Sequence, residues 1–329
     1  PINVPVSCPN RDGEVGYSGC TFCGESGAGF ESLSNAISVE DQLEKNIEYI
    51  GKKYNSSKFI AYFQNYTNTY LPFDEFESMV MKSLRDDVVG ISVSTRPDSV
   101  NDRHLEYLSR IQETYQKDIS IELGLQTVNY RTLMKINRGH TLAEFIDAVN
   151  RIRKYDFEIV AHVILDLPYD DMDDVIETAK IISALGINSV KIHSLYIVKE
   201  TEMARQYTDG EIKIGTVDDY VKRTATFLAY LSKDIVIQRL VGRAPEEDTL
   251  FCNYGMSWWK IKEEIENPTI AHPIAFVSCS PKKPIIKPMA NNNIVNHSAT
   301  VLINERTRNT AVPLKLKKSF IAVKVLIIN

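Results

Sequence analysis

What is scarce in this sequence narrows the class of protein. Only five of the 329 residues are cysteine, an odd number that makes no complete disulfide framework. No uninterrupted apolar run approaches the roughly 18 to 20 residues that a membrane span needs, and the first residues do not resemble a signal peptide. The chain begins at Pro1 rather than at methionine, so we expect part of the natural N-terminus to be missing. These absences predict a soluble, cytoplasmic protein with reduced cysteines and no membrane partner.

Charge is spread unevenly along the chain. The net charge of −5 gives no general attraction to nucleic acid or to anionic membranes. Beyond Glu266, however, basic residues far outnumber acidic ones, prolines recur and helical periodicity disappears. We predict that residues 267–329 are a basic tail, either disordered or foreign to the rest of the protein. Residues 1–200 are predicted to form the core and residues 201–266 a region associated with it.

Short apolar strands alternate with longer amphipathic helices, a pattern that predicts a parallel sheet covered by helices. The predicted strands are Ile2 to Val6, Phe59 to Gln64, Val89 to Ser94, Ile119 to Leu125, Ile159 to Leu165 and Ser189 to Leu195. The predicted helices are Val39 to Tyr54, Phe73 to Arg85, Asp102 to Thr114, Leu142 to Tyr155 and Met172 to Leu185, with a later helix-like segment from Met256 to Ile265 that carries Trp258 and Trp259 as a cap on the barrel. Polar residues follow several strands, which is typical of barrels whose strand ends carry the chemistry. We therefore predict an α/β fold, a partial or full TIM-like (β/α) barrel with a C-terminal extension, and a doubly wound open sheet is the alternative.

Three of the cysteines follow the first predicted strand. Cys8, Cys20 and Cys23 have the spacing C-x11-C-x2-C, and no histidine precedes His104. A structural zinc site needs four protein ligands. A 4Fe-4S cluster that is held by three thiolates has one iron without a protein ligand. A small molecule can bind to this iron, and the cluster can then transfer an electron to it. Three unrelated cysteines, or half of a zinc site shared between molecules, are the alternatives.

Several short blocks of sequence, in this order along the chain, resemble one known family. The blocks are Cys-Pro-Asn-Arg-Asp-Gly, Gly-Cys-Thr-Phe-Cys, Ala-Tyr-Phe-Gln, Ser-Thr-Arg-Pro-Asp, Glu-Leu-Gly-Leu-Gln-Thr and Asn-Arg-Gly-His. Together they resemble a bacterial branch of the radical S-adenosylmethionine (SAM) superfamily whose substrate is unassigned, and the radical SAM domain of the Elongator catalytic subunit. The resemblance runs from Pro1 to about Ile265. The chain lacks the acetyltransferase-like domain of the Elongator subunit, so chemistry that depends on acetyl-CoA is not carried over.

The resemblance implies cofactors, partners and site residues. It implies an enzyme with a 4Fe-4S cluster on the three cysteines, which cleaves SAM reductively to a 5′-deoxyadenosyl radical. The residues that it implies as SAM contacts are Gln64, Glu122, Gln126, Arg138 and His162. It also implies an electron donor such as flavodoxin or ferredoxin, and a tRNA base as one candidate substrate, beside a small metabolite or a protein side chain. The catalytic residues are left unassigned.

Individual polar residues also have structural interpretations. Glu122 lies in an apolar strand and would be costly to bury unpaired, so pairing with Lys191 or Arg138 is the alternative to a SAM contact. Arg96 is expected either in the site or paired with Asp98. At the level of the whole protein, the alternatives to an enzyme are a non-catalytic iron–sulfur protein for electron transfer or redox sensing, and a zinc-stabilised nucleic-acid-binding module.

Overall fold

The computed structural model of the protein describes residues 1–24, 27 and 30–266. The predicted tail, residues 267–329, and Cys279 within it lie outside the described residues. None of the described helices is long and apolar enough to cross a membrane.

The described residues form one parallel sheet, one small antiparallel pair and nine α-helices. The parallel sheet consists of β1 (Phe59–Phe63), β2 (Val88–Thr95), β3 (Asp118–Gln126), β4 (Glu158–Ile164), β5 (Ser189–His193) and β7 (Val236–Arg239), in that order. The antiparallel pair consists of β6 (Tyr196–Val198) and β8 (Thr249–Cys252). The helices are α1 (Val39–Tyr54), α2 (Phe73–Lys82), α3 (Asp102–Tyr115), α4 (Tyr130–Lys135), α5 (Leu142–Ile152), α6 (Met172–Ala184), α7 (Glu202–Thr208), α8 (Val217–Tyr230) and α9 (Trp258–Glu266).

The order of the strands decides between the two predicted topologies. The strands of the parallel sheet lie side by side in the same order in which they occur along the chain. A doubly wound sheet would show a reversal of this order. The sheet curls into half of a barrel, which confirms the prediction of a partial TIM-like barrel. Apolar side chains such as Ile91, Ile121 and Val163 are buried between the sheet and its helices in one continuous core. The predicted boundary at residue 200 stays a prediction, and the last strand of the sheet, β7, lies beyond it.

The predicted first strand, Ile2 to Val6, is wrong as a strand. Only Ile2 pairs with the sheet, through a single bridge to Phe63. The next backbone N–H, that of Asn3, donates instead to the side chain of Gln42 on α1 at 2.9 Å, and Pro5 has no N–H to offer. The sixth strand of the sheet is β7, which the prediction missed.

The predicted helices are confirmed, with ends that differ by a few residues. Capping boxes begin two of them: Thr141 with Glu144 at the start of α5, and Asp171 with Asp174 at the start of α6. The predicted late helix is α9, whose Trp258 packs against the main core while Trp259 is 52% exposed. The prediction that both tryptophans cap the barrel is therefore wrong for Trp259.

Candidate active site

All eight residues that the sequence predicted for the site line a single cavity. The cavity has a volume of about 170 Å³ and lies at the carboxyl ends of the parallel strands. It is lined by the predicted metal ligands and SAM contacts, which are Cys8, Cys20, Cys23, Gln64, Glu122, Gln126, Arg138 and His162. The structure thus brings the set together, while the role of each residue stays a prediction.

The loop that carries the cysteines is fastened to the segment that follows α4. The side chain of Asn10 donates to the backbone oxygen of Asn137 at 2.6 Å, and the side chain of Asn137 donates back to the backbone oxygen of Gly19 at 2.7 Å. The backbone N–H of Thr21 donates to the oxygen of Ile136 at 3.0 Å. Two segments more than 100 residues apart in sequence therefore fix the positions of the cysteines.

Donors from three directions face the cysteine sulfurs. Arg138 Nη1 lies 3.4 Å from the Sγ of Cys20, and Asn10 Nδ2 lies 3.9 Å from the same atom. Arg96 Nη1 lies 4.0 Å from the Sγ of Cys8. Cationic and amide donors of this kind stabilise thiolates that ligate a metal.

Arginines make further contacts around the thiols. Arg96 also forms a bidentate ion pair with Asp98, at 2.9 and 2.7 Å. Pairing with Asp98 was one of the two predicted roles of Arg96. Arg11 donates to the backbone oxygens of Cys23 and Gly24 at 2.5 and 2.7 Å.

Burial and the nearby Cys20 raise the pKa of Cys23 to about 11, so this thiol must lose a proton when it ligates a metal.

The donor set fits an iron–sulfur cluster better than a single metal ion. The part of the chain that the structure describes contains no group of three or more His, Cys, Asp or Glu side chains placed to hold one ion. The three thiols instead surround a cavity, and a guanidinium approaches the sulfur of two of them. Among the buried polar atoms, Arg138 Nε has no hydrogen-bond partner in the described residues, so it remains available to an acceptor in the cavity.

Glu122 lies at the bottom of the cavity with both carboxylate oxygens occupied. Lys191 Nζ lies 2.8 and 2.6 Å from the two oxygens, and Ser92 and Tyr62 each donate to one of them at 2.8 Å. His162 Nε2 lies 2.7 Å from Oε2. Burial opposes ionisation of this carboxyl, but the charge of Lys191 and the contact with His162 outweigh it and hold the pKa of Glu122 below its ordinary value. The alternative of pairing with Lys191 is therefore what the structure shows, whereas Arg138 binds Cys20 and the backbone oxygen of Gly124.

A second histidine extends this network. His193 Nε2 lies 3.3 Å from His162 Nδ1, and the two rings stack with centroids 5.3 Å apart. Burial lowers the pKa of both histidines, so both rings are neutral. If His162 donates to the charged Glu122, its Nδ1 must accept from His193, and His193 Nδ1 is then an acceptor. Both histidines line the same cavity as the cysteines.

The two glutamines of the predicted set lie at the rim of the sheet. Gln64 follows β1 and lines the cavity. Gln126 ends β3 in a left-handed conformation, with φ of 71°, where the pairing with β4 shifts register. A Cβ at position 124 would lie 2.5 Å from Arg138 Nη2, so any residue other than glycine there would displace this guanidinium.

Two further arginines line the cavity, and the sequence analysis did not single them out. Arg239 ends β7, and Arg243 lies in the loop that follows. The run Ile235, Val236 and Ile237 before Arg239 was the missing signal, since a short β-branched run that ends in polar residues follows the same pattern as the other strands.

Comparison with known proteins matches most of the chain to two family models. The model of the radical SAM superfamily matches residues 2–182, and that of the radical SAM C-terminal domain matches residues 187–269. YtqA of Bacillus subtilis, an uncharacterized protein, is 36% identical over 269 residues, which cover 79% of this chain and 82% of YtqA.

More distant similarity leads to the Elongator subunit that the sequence blocks resemble. Elongator complex protein 3 of Schizosaccharomyces pombe is 26% identical over 144 residues, which cover 43% of this chain and 26% of that protein. Among solved structures, Elp3 of Methanocaldococcus infernus superposes with a TM-score of 0.58 at 15% identity, over 70% of this chain and 58% of that one. At this identity the structural match shows a shared fold.

Proposed function

Because the chain belongs to the radical SAM superfamily, we propose that it is an enzyme that cleaves SAM reductively at the cavity described above. A 4Fe-4S cluster, held by Cys8, Cys20 and Cys23, supplies the electron for cleavage of SAM to methionine and the 5′-deoxyadenosyl radical that acts on the substrate. The observation that carries the proposal is that three cysteines line one cavity at the strand ends, together with the residues predicted to contact SAM.

The residues around the thiols hold and orient the cofactors in this proposal. Arg138 lies between Cys20 and the backbone of Gly124, and its free Nε suits an acceptor such as the carboxylate of SAM. Gln64 and Gln126 provide amide donors and acceptors at the rim. Glu122 and His162 close the bottom of the cavity, where they exclude water and support the bound cofactor.

The substrate is proposed to be a tRNA base, and the electron donor a flavodoxin or ferredoxin of the cytoplasm. The similarity to the Elongator subunit supports the first part. Basic residues of the catalytic region, taken as candidate phosphate contacts, give mixed support. Arg131 and Lys135 are exposed on α4, but Arg151 is bound to Asp147 at 2.8 Å.

The test is cofactor cleavage after anaerobic reconstitution. Protein loaded with iron and sulfide, then reduced with dithionite in the presence of SAM, is expected to form 5′-deoxyadenosine, measured by chromatography. The variants Cys8→Ala, Cys20→Ala and Cys23→Ala are each expected to lose iron and product together. Cys252→Ala is the matched control, because this free thiol lies on β8 away from the cavity, and it should retain both.

Two outcomes would contradict the proposal. Full iron content in any of the three variants would remove that cysteine from the ligand set. A reducible cluster whose spectrum does not respond to SAM would instead support the alternative of a non-catalytic iron–sulfur protein.

A further inference from the structure

We propose that Arg239 and Arg243 form a binding subsite for an oxyanion, a phosphate or a carboxylate, carried by the substrate. The inference rests on the proposed function only where it assigns the bound anion to the substrate, because the subsite itself consists of protein groups alone. It lies at the last strand of the sheet, where a second cavity meets the first.

The two arginines are shared by both cavities. The inner cavity of about 170 Å³ holds the cysteines, and an outer cavity of about 240 Å³ lies between β7 and α9. Arg239 and Arg243 line both, and Trp258 and Lys262 of α9 line the outer one. A molecule that enters from the outer cavity therefore passes both guanidinium groups before it reaches the cysteines.

Neither guanidinium has a counterion in the part of the chain that the structure describes. No described carboxylate lies within ion-pair distance of Arg239 or Arg243, and neither side chain makes a hydrogen bond to a described group. By contrast, Arg96 is bound to Asp98 and Arg151 to Asp147. Arg239 is half-buried and Arg243 is exposed, and a guanidinium without an ion-pair partner keeps its capacity to bind an anion.

Three described carboxylates line the two cavities, and two of them form ion pairs. Glu122 is held by Lys191 and His162, as described above. Glu266, in the outer cavity, lies 3.7 Å from Lys262. Glu31, in the inner cavity, is within electrostatic range of the amino group of Pro1. An incoming oxyanion thus meets two guanidinium groups that form no ion pair with a described carboxylate.

The two arginines are held in different ways that suit two parts of one ligand. Arg243 stacks on Trp258, with its guanidinium carbon 4.2 Å from the ring centre, so its planar edge is held ready to donate. Arg239 points inward, within electrostatic range of Tyr196 and the histidine pair. After burial, the charge of Arg239 makes the next largest contribution to the lowered pKa of His193.

The experiment uses Trp258 as a reporter of binding in cluster-free protein. A Trp259→Phe background leaves Trp258 as the only tryptophan. Its fluorescence is titrated with inorganic phosphate and, separately, with acetate, against sodium chloride at matched ionic strength. We expect a saturable change with at least one oxyanion, and binding that is about tenfold weaker in Arg239→Gln and in Arg243→Gln. Arg239→Lys is expected to retain part of the affinity, because lysine keeps the positive charge but lacks the bidentate donor geometry of the guanidinium.

Arg103→Gln is the matched control, since Arg103 also stacks on an aromatic ring, that of Phe73, but lies on α3 outside both cavities. It should bind as the background protein does. The ratio of the two affinities distinguishes a phosphate from a carboxylate ligand. An equal response to chloride, or unchanged affinity in Arg239→Gln, would overturn the subsite.

A third arm tests whether the cofactor is the occupant. If SAM competes with phosphate and Arg239→Gln weakens SAM binding equally, the arginines bind the carboxylate of SAM and the assignment to substrate is wrong. Failure of the proposed function is measured separately. Oxyanion binding without 5′-deoxyadenosine formation would leave the subsite standing, whereas product formation without oxyanion binding would remove it.

Discussion

Two clusters of charged residues in this protein have almost the same contacts and opposite surroundings. In the interior, Glu122 is bound to Lys191 at 2.6 Å, with side chains that are 5% and 4% exposed. On the surface, Arg205 of α7 is bound to Glu202, Asp209 and Glu211 at 2.7 Å each, with side chains about half exposed. Distances alone do not distinguish the clusters.

The difference lies in what water does at each place. An exposed ion pair exchanges water contacts for protein contacts at little net gain, and dissolved salt screens it. A buried pair has lost its water, so each charge depends on the other, and removal of one leaves the second stranded. The interior cluster should therefore control stability and function, while the surface cluster should control neither.

The largest effect is expected from Lys191→Met. This change strands the charge of Glu122 in the buried cavity, and the free energy of unfolding should fall by about 3 to 5 kcal/mol. Urea denaturation followed by circular dichroism measures it. A loss below about 1 kcal/mol would mean that water reaches Glu122 and that the comparison between the clusters fails.

The double variant Glu122→Gln/Lys191→Met separates structure from cofactor binding. It removes both charges, so most of the lost stability should return. If Glu122 also supports SAM, the double variant should take up iron normally yet bind SAM more weakly, as measured by equilibrium dialysis on the reconstituted protein. Unchanged SAM affinity would leave Glu122 with a structural role only.

Acid should destabilise the wild-type protein more than the double variant Glu122→Gln/Lys191→Met. The pKa of Glu122 is lowered from its ordinary 4.5 in the folded protein, because Lys191 and His162 outweigh the opposing effect of burial. The unfolded chain therefore takes up the proton first, and the contribution of this carboxylate to stability is present above pH 4.5 and declines as pH falls below it. Wild-type protein should lose more stability than the double variant between pH 4.5 and 3 in urea titrations. Parallel curves would contradict the lowered pKa.

A smaller loss is expected from Tyr62→Phe. The hydroxyl of Tyr62 donates to Glu122 at 2.8 Å and accepts from Ser94 at 3.2 Å, and its removal should cost about 1 to 2 kcal/mol of unfolding free energy. Tyr49→Phe is the matched control, because Tyr49 is 62% exposed and should change nothing measurable. Equal effects of the two changes would mean that the hydroxyl is not part of the network.

The smallest effect is expected from Arg205→Ala. The guanidinium is exposed, so the urea midpoint should stay where it is, in low and in high salt alike. A clear drop at low salt that disappears at high salt would show that the three carboxylates repel one another once their common partner is gone.

The sequence predicted the parts of the fold that depend on local pattern. Short segments rich in apolar residues predicted β1 to β5, and the spacing of the cysteines predicted the centre of the site. The strand β7 was missed because it is only four residues long, although the run from Ile235 to Ile237 indicates it, and Ile2 to Val6 was wrong because Gln42 takes the N–H of Asn3. The second error depends on a contact between residues that are distant in sequence.

The site shows the same limit. A carboxylate in an apolar strand must have a partner, so Lys191 and Arg138 were both candidates for Glu122. The choice needed the register of the sheet, in which Glu122 aligns with Val160 and then with Ser189, so that Lys191 reaches it diagonally across two strands. No pattern within a single strand contains that information.

The hydrogen bonds between the cysteine loop and residues 136 and 137 also determine when the loop can adopt its final position during protein synthesis. The loop emerges from the ribosome first, but its partners emerge only after β3 and α4 have been made. Until then the three thiols belong to a flexible segment that is open to oxidation, and fixing this segment in place still costs conformational entropy. Loading of iron and sulfide into this protein should therefore be a late step of its maturation, and a nascent chain shorter than about 140 residues should not retain the metal.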